Sequence, residues 1–106
     1  MGTILEVKSK MVELPPRELA SIIRQGAILR LPYLESRLFQ ARDNVRNFER
    51  KYNSTLNQLK AKGLPEDVGY EMHENFIEWE YWEDVLRETE ETVEHVKKLL
   101  EEIEGE

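Results

Sequence analysis

Glu71-Met72-His73-Glu74-Asn75-Phe76-Ile77-Glu78-Trp79-Glu80-Tyr81-Trp82-Glu83-Asp84-Val85-Leu86 decides how the chain folds. The stretch holds both tryptophans, one of the two histidines and a dense run of acid. Met72, Asn75, Trp79, Trp82 and Leu86 follow one another at alternating spacings of three and four, and the alternation runs on through Thr89, Val93, Val96, Leu100 and Ile103. That is the heptad signature of a helix with one buried face. It predicts a helix over residues 66–104.

The same signature occurs upstream. Leu31, Leu34, Leu38, Ala41, Val45, Phe48, Tyr52, Thr55 and Leu59 keep the alternation. They predict a helix over residues 33–62, about 45 Å long at the rise of an α-helix. Between the two, Lys62-Gly63-Leu64-Pro65 reads as a stop, because glycine supplies a left-handed cap and proline cannot continue a helix. Pro65-Glu66-Asp67 reads as the next start, with acid in the first turn, and Gly69 makes that start irregular. Two heptad helices joined by a short turn run antiparallel. Matching them about the turn sets Tyr52 against Trp79, Phe48 against Trp82, Val45 against Leu86, Leu38 against Val93 and Leu31 against Leu100.

Ahead of the hairpin, residues 3–14 alternate Leu5, Val7, Ser9 and Met11 against Glu6, Lys8 and Lys10, which is a strand pattern. A single strand has unpaired backbone groups. Leu5, Val7 and Met11 are therefore expected in a strand that pairs with a copy of itself, pairs with another protein, or stays a free arm. Pro15-Pro16 then opens a short helix over residues 16–30, with Leu19, Ile22, Ile23 and Ala27 on its apolar face. Gly26 would loosen or end it, and Pro32 would kink the chain or start the next helix. The fold class expected is all-α. It is a long antiparallel two-helix coiled-coil hairpin carrying an N-terminal strand and a short helix, in one domain of residues 1–106. The arm takes residues 1–14, the short helix 15–31 and the hairpin 32–106.

Composition narrows the class. Charged residues make up 35% and hydrophobic ones 40%, too apolar for disorder and too charged for a membrane protein. No apolar run approaches the roughly 20 residues of a membrane span, and the first residues lack a secretory signal pattern, so the cytoplasm is the expected location. The absence of cysteine removes disulfide and thiolate chemistry, and together with the charge content fits a thermophile. Residues 1–65 carry 12 Lys and Arg against 6 Asp and Glu, whereas residues 66–106 carry 3 against 16. Such polarity either folds the halves against each other or offers two faces to two partners.

Candidate chemistry is sparse. His73 and His95 are the only histidines, and a di-iron bundle site needs Glu-x-x-His twice, where positions 70 and 92 are Tyr and Thr. Glu71-x-x-Glu74, Glu80-x-x-Glu83 and Glu91-x-x-Glu94 are spaced like the magnesium-binding acids of all-α nucleotide pyrophosphatases. Those acids must face inward, and here the inward positions are Met72, Trp79, Trp82 and Leu86. No nucleophile elbow or phosphate-cradling loop is present. No catalytic residue, metal or cofactor is assigned, and the chain reads as a non-enzyme. Lys8, Lys10 and Arg17 are the residues that would contact DNA in a dimeric ribbon, although Glu6, Glu13 and Glu18 interrupt that patch. Phe76, Ile77, Tyr81 and Val85 lie off the predicted seam and are the expected partner-binding residues.

Three segments carry a resemblance. They are Phe48-Glu49-Arg50-Lys51-Tyr52-Asn53-Ser54-Thr55-Leu56, Gly63-Leu64-Pro65, and Tyr70 through Glu80, with Val12-Glu13-Leu14-Pro15 at the strand end. The chain resembles small helical antitoxin-like proteins of archaeal and bacterial toxin–antitoxin pairs, best over residues 45–86. The resemblance implies no catalysis. It implies a protein that wraps a small basic toxin and, as a dimer, binds DNA for its own regulation. The homodimer itself is expected from the apolar residues left off the seam, Leu56, Phe76, Ile77, Tyr81, Val85 and Leu99, which a second copy could cover. The alternatives are a homo-oligomeric coiled-coil scaffold and a magnesium-dependent nucleotide pyrophosphatase.

Overall fold

The computed structural model describes residues 3–7, 10–63 and 69–104, with side chains from residue 13 onward. Two strands, β1 (Thr3–Val7) and β2 (Lys10–Leu14), precede three helices, α1 (Pro16–Tyr52), α2 (Leu56–Lys62) and α3 (Tyr70–Glu104). The expected pair of long helices is present, and α1 and α3 pack against each other along an elongated body of 63 × 27 × 20 Å.

Three expectations need correction. The predicted single strand is a β-hairpin. β1 and β2 pair antiparallel with Leu5 opposite Val12, Glu6 opposite Met11 and Val7 opposite Lys10. The strand expected to pair with a copy of itself, with another protein, or to stay a free arm thus finds its first partner inside the chain. What the side chains of Leu5, Val7 and Met11 touch lies outside the described residues.

The predicted short helix and the first hairpin helix are one continuous element. Gly26 and Pro32 both sit inside α1. An interior proline removes one backbone hydrogen bond and costs about 3 kcal/mol. Ala27 and Leu34 are buried on either side of it and Leu31 and Leu38 half-buried. Burying apolar side chains in both directions offsets that cost.

The first long helix also ends sooner than predicted. Asn53 adopts the left-handed conformation (φ 49°) and closes α1, with its N–H donating to the carbonyl of Glu49. Thr55, read as a seam position, is instead the N-cap of α2. Its hydroxyl accepts from the Gln58 N–H at 3.1 Å, and the Gln58 side chain accepts from the Thr55 N–H at 3.0 Å. This reciprocal capping box satisfies two of the backbone donors that a helix start exposes. α2 then lies along α3, where Leu56, Asn57 and Lys60 share a groove with Glu80, Glu83, Asp84 and Arg87. Lys60 Nζ stands 3.6 Å from the Glu80 carboxylate. The turn predicted at Leu64-Pro65 and the start at Glu66-Asp67 lie outside the described residues, and α3 begins at Tyr70 rather than 66.

The seam between α1 and α3 follows the heptads. Leu34, Ala41 and Val45 of α1 and Trp79, Thr89 and Val93 of α3 are buried. Leu31, Leu38, Phe48 and Tyr52, with Met72, Asn75, Trp82, Leu86, Val96, Leu100 and Ile103, are half-buried. Trp79 is fully enclosed, and the rings of Phe48 and Tyr52 stack on it, each with its centroid 5.7 Å away and interplanar angles of 19° and 14°. Phe48 was expected opposite Trp82. Residues 48 and 52 are one turn apart, so they form the hole into which the larger Trp79 inserts. Asn75 Nδ2 donates to the Tyr52 hydroxyl at 2.9 Å and fixes the register at this end. Toward the other end Arg42 pairs with Glu90 at 3.5 Å and Glu35 with Lys97 at 3.7 Å, both exposed.

Trp79→Ala should lower stability by about 3–5 kcal/mol, as a large-to-small change at an enclosed site. Thr55→Ala should cost about 1 kcal/mol, as loss of a cap. Urea unfolding followed by helicity checks both.

Candidate protein-binding surface

The described residues contain no cluster of three His, Cys, Asp or Glu side chains placed to share a metal. His73 and His95 are both exposed. No helix among them is long and apolar enough to cross a membrane. The surface features worth weighing are therefore apolar side chains left in solvent.

α3 supplies one such stripe. At about 100° per residue, Tyr70, Ile77 and Tyr81 fall within an arc of about 40° centred opposite Trp79. All three are largely in water, at 81%, 52% and 50% exposure. The Tyr81 ring meets Trp82 edge-on at 5.1 Å, which anchors its base to the core. Glu74, Glu78, Asp84 and Glu88 flank the stripe and are exposed. The result is an acidic surface with a narrow apolar and aromatic ridge, about 16 Å long at the helical rise.

The four residues expected to meet a partner separate here. Ile77 and Tyr81 lie on this ridge. Phe76 is half-buried and Val85 is buried in the core. Leu56 of α2 is buried too, and α2 lies along the side of α3 that carries Glu80, Glu83, Asp84 and Arg87. Tyr70 belongs to the ridge and was not singled out from the sequence. Its spacing of seven from Ile77 and eleven from Tyr81 was the available signal. Of the residues proposed for DNA, Arg17 is exposed in the first turn of α1, while the side chains of Lys8 and Lys10 lie outside the described residues.

The other acids of the repeated motifs have separate settings. Glu71 accepts from Lys51 Nζ at 2.9 Å, and this bond holds the Glu71 carboxyl below its ordinary value and the Lys51 ammonium above its own. Glu83 is half-buried at the edge of the seam. Burial, followed by the facing carboxylate of Glu49, pushes its carboxyl above the ordinary range. The Trp79 indole N–H, though outside hydrogen-bond geometry, draws the value back, as do Lys60 and Arg87. Glu80 is paired with Lys60 and Glu94 with Lys98. The three Glu-x-x-Glu motifs thus do not converge on one point.

No protein-family model matches the chain, and neither a curated protein nor a solved structure does.

A raised carboxyl favours the folded state most where it is protonated. That contribution is complete below the ordinary value of 4.5 and is lost as the pH rises through the folded value. Glu83→Gln should therefore raise the melting temperature at neutral pH. The gain should shrink as the pH falls below about 4.5, which thermal melts across that range would show.

Proposed function

We propose that this chain is a non-enzymatic protein-binding module whose working surface is the acidic aromatic ridge of α3. The observation that carries the reading is the alignment of Tyr70, Ile77 and Tyr81 in solvent on the face opposite Trp79, among exposed acids. Tyrosine supplies contact area with a polar tip, at a low entropic cost, and is enriched where one protein grips another. The surrounding carboxylates select a basic partner and speed its approach. A partner of this chemistry is a small basic protein with an apolar cleft. The resemblance to antitoxin-like proteins supports the same partner class, a small toxic enzyme held inactive by occlusion.

Isolating small basic proteins that co-purify with this chain, followed by titration calorimetry against them, tests this. Binding is expected, weakening as salt rises. Ile77→Ala or Tyr81→Ala should each reduce affinity about tenfold or more, a loss of about 1.4 kcal/mol or above. Helicity should stay unchanged. An affinity indifferent to both substitutions, or no binding at low salt, would refute the assignment of this ridge.

A further inference from the structure

A second unpartnered face lies on α1. Among the described residues, Ile22, Ile28, Leu29, Tyr33 and Phe39 are large apolar side chains in solvent, with Leu29 at 80% and Phe39 at 72% exposure. Their placement has an order. Ile22, Gln25, Leu29, Pro32, Ser36 and Phe39 succeed one another at spacings of three, four, three, four and three. That is a second heptad seam, on the side of α1 turned away from Leu34, Ala41 and Val45. These are the outermost positions of a coiled coil, where charge is the rule. In a chain that is 35% charged, not one of the six is charged. Ile28 and Tyr33 widen the apolar strip on its two sides.

The seam is also a palindrome. Read from either end it runs apolar, polar, apolar, apolar, polar, apolar. Two copies of α1 crossing antiparallel between Leu29 and Pro32 would set Ile22 against Phe39, Gln25 against Ser36 and Leu29 against Pro32, each contact occurring twice. Self-complementarity of this kind is what a two-fold contact requires. Charge bounds the seam at both ends, with Arg17-Glu18 on one side and Arg42-Asp43 on the other. Antiparallel crossing brings Glu18 level with Asp43 of the other copy, so the contact is confined to the uncharged stretch between them.

We infer that the uncharged outer face of α1 is the interface of a homodimer, built on an antiparallel α1–α1 contact about a two-fold axis between Leu29 and Pro32. The contact extends over about 26 Å. It forms a four-helix layer in which each α3 lies outermost. The inference is independent of what the α3 ridge binds, because the two faces belong to different helices.

Sedimentation equilibrium of the full chain should show a concentration-dependent dimer. Leu29→Arg should leave a monomer of unchanged helicity, and Phe39→Glu serves as a second variant should the first fail to fold. The native chain has no cysteine, which makes cross-linking clean. A mixture of Gln25→Cys and Ser36→Cys chains should oxidise to the mixed disulfide dimer. Neither variant alone should cross-link well, since like positions stand about 16 Å apart, beyond the roughly 7 Å that a disulfide spans. A chain monomeric up to millimolar concentration would overturn the inference, as would a dimer indifferent to both Leu29→Arg and Phe39→Glu. Cross-linking stronger in the single variants than in the mixture would do the same.

Discussion

The insertion of Trp79 between Phe48 and Tyr52 is the contact on which the arrangement of the long helices depends. α1 and α3 share one seam, and a slip of one heptad along it would exchange aliphatic for aliphatic at most levels with little penalty. At the turn-proximal end it would not. Only there is a hole between two aromatic rings matched by an indole, with the Tyr52 hydroxyl accepting from Asn75 one turn before it. Aromatic stacking adds about 0.5–1.5 kcal/mol per pair beyond burial. That is enough to favour one register over neighbours that lack it. The same site carries a cost, because the indole nitrogens of Trp79 and Trp82 are buried without hydrogen-bond partners.

With the register set, each long helix buries one face and presents another. α3 turns outward a ridge of tyrosine and isoleucine among carboxylates. α1 turns outward a strip with no charge between Glu18 and Asp43 at its outermost positions. The opposite charges of the two halves are only partly spent on each other. Among the described residues the ion pairs between α1 and α3 are exposed, at 2.9 Å for Lys51–Glu71, 3.5 Å for Arg42–Glu90 and 3.7 Å for Glu35–Lys97. Pairs of that kind contribute about 0.2–1 kcal/mol each. Their larger effect is on pairing choice, since the acidic α3 repels a second α3 and attracts the basic α1.

The seam was legible because a spacing of three and four is a direct record of which side chains share a helix face. Every heptad position in α1 and α3 from Leu31 to Tyr52 and from Met72 to Ile103 is buried or half-buried. What failed was where the pattern stops. The heptads ran through Asn53-Ser54-Thr55, and only the competing signal of Thr55 with Gln58 three residues later marks a new helix start there. Pro32 was weighted as a breaker because local propensity was judged without the apolar packing on both sides of it. Val85 looked surplus to a two-helix seam, and it is buried because it shares a flank of α3 with Trp82, Thr89 and Val96, which widens the seam beyond the strict heptad positions. The β-hairpin was read as one strand because the residues between Val7 and Lys10, Lys8-Ser9, carry no Asn-Gly or similar turn signature.

Both tryptophans sit in α3 three residues apart, within about 5 Å along the helix axis of a molecule 63 Å long. Their emission therefore reports on one end alone, the end where α1 and α3 come together near the chain's reversal. Residues 16–40 of α1 and 90–104 of α3 are optically silent at those wavelengths, yet they supply much of the helical circular dichroism. Fraying of the far end would lower ellipticity while leaving fluorescence unmoved. A melt that looks two-state by either probe needs the other before it can be taken as all-or-none.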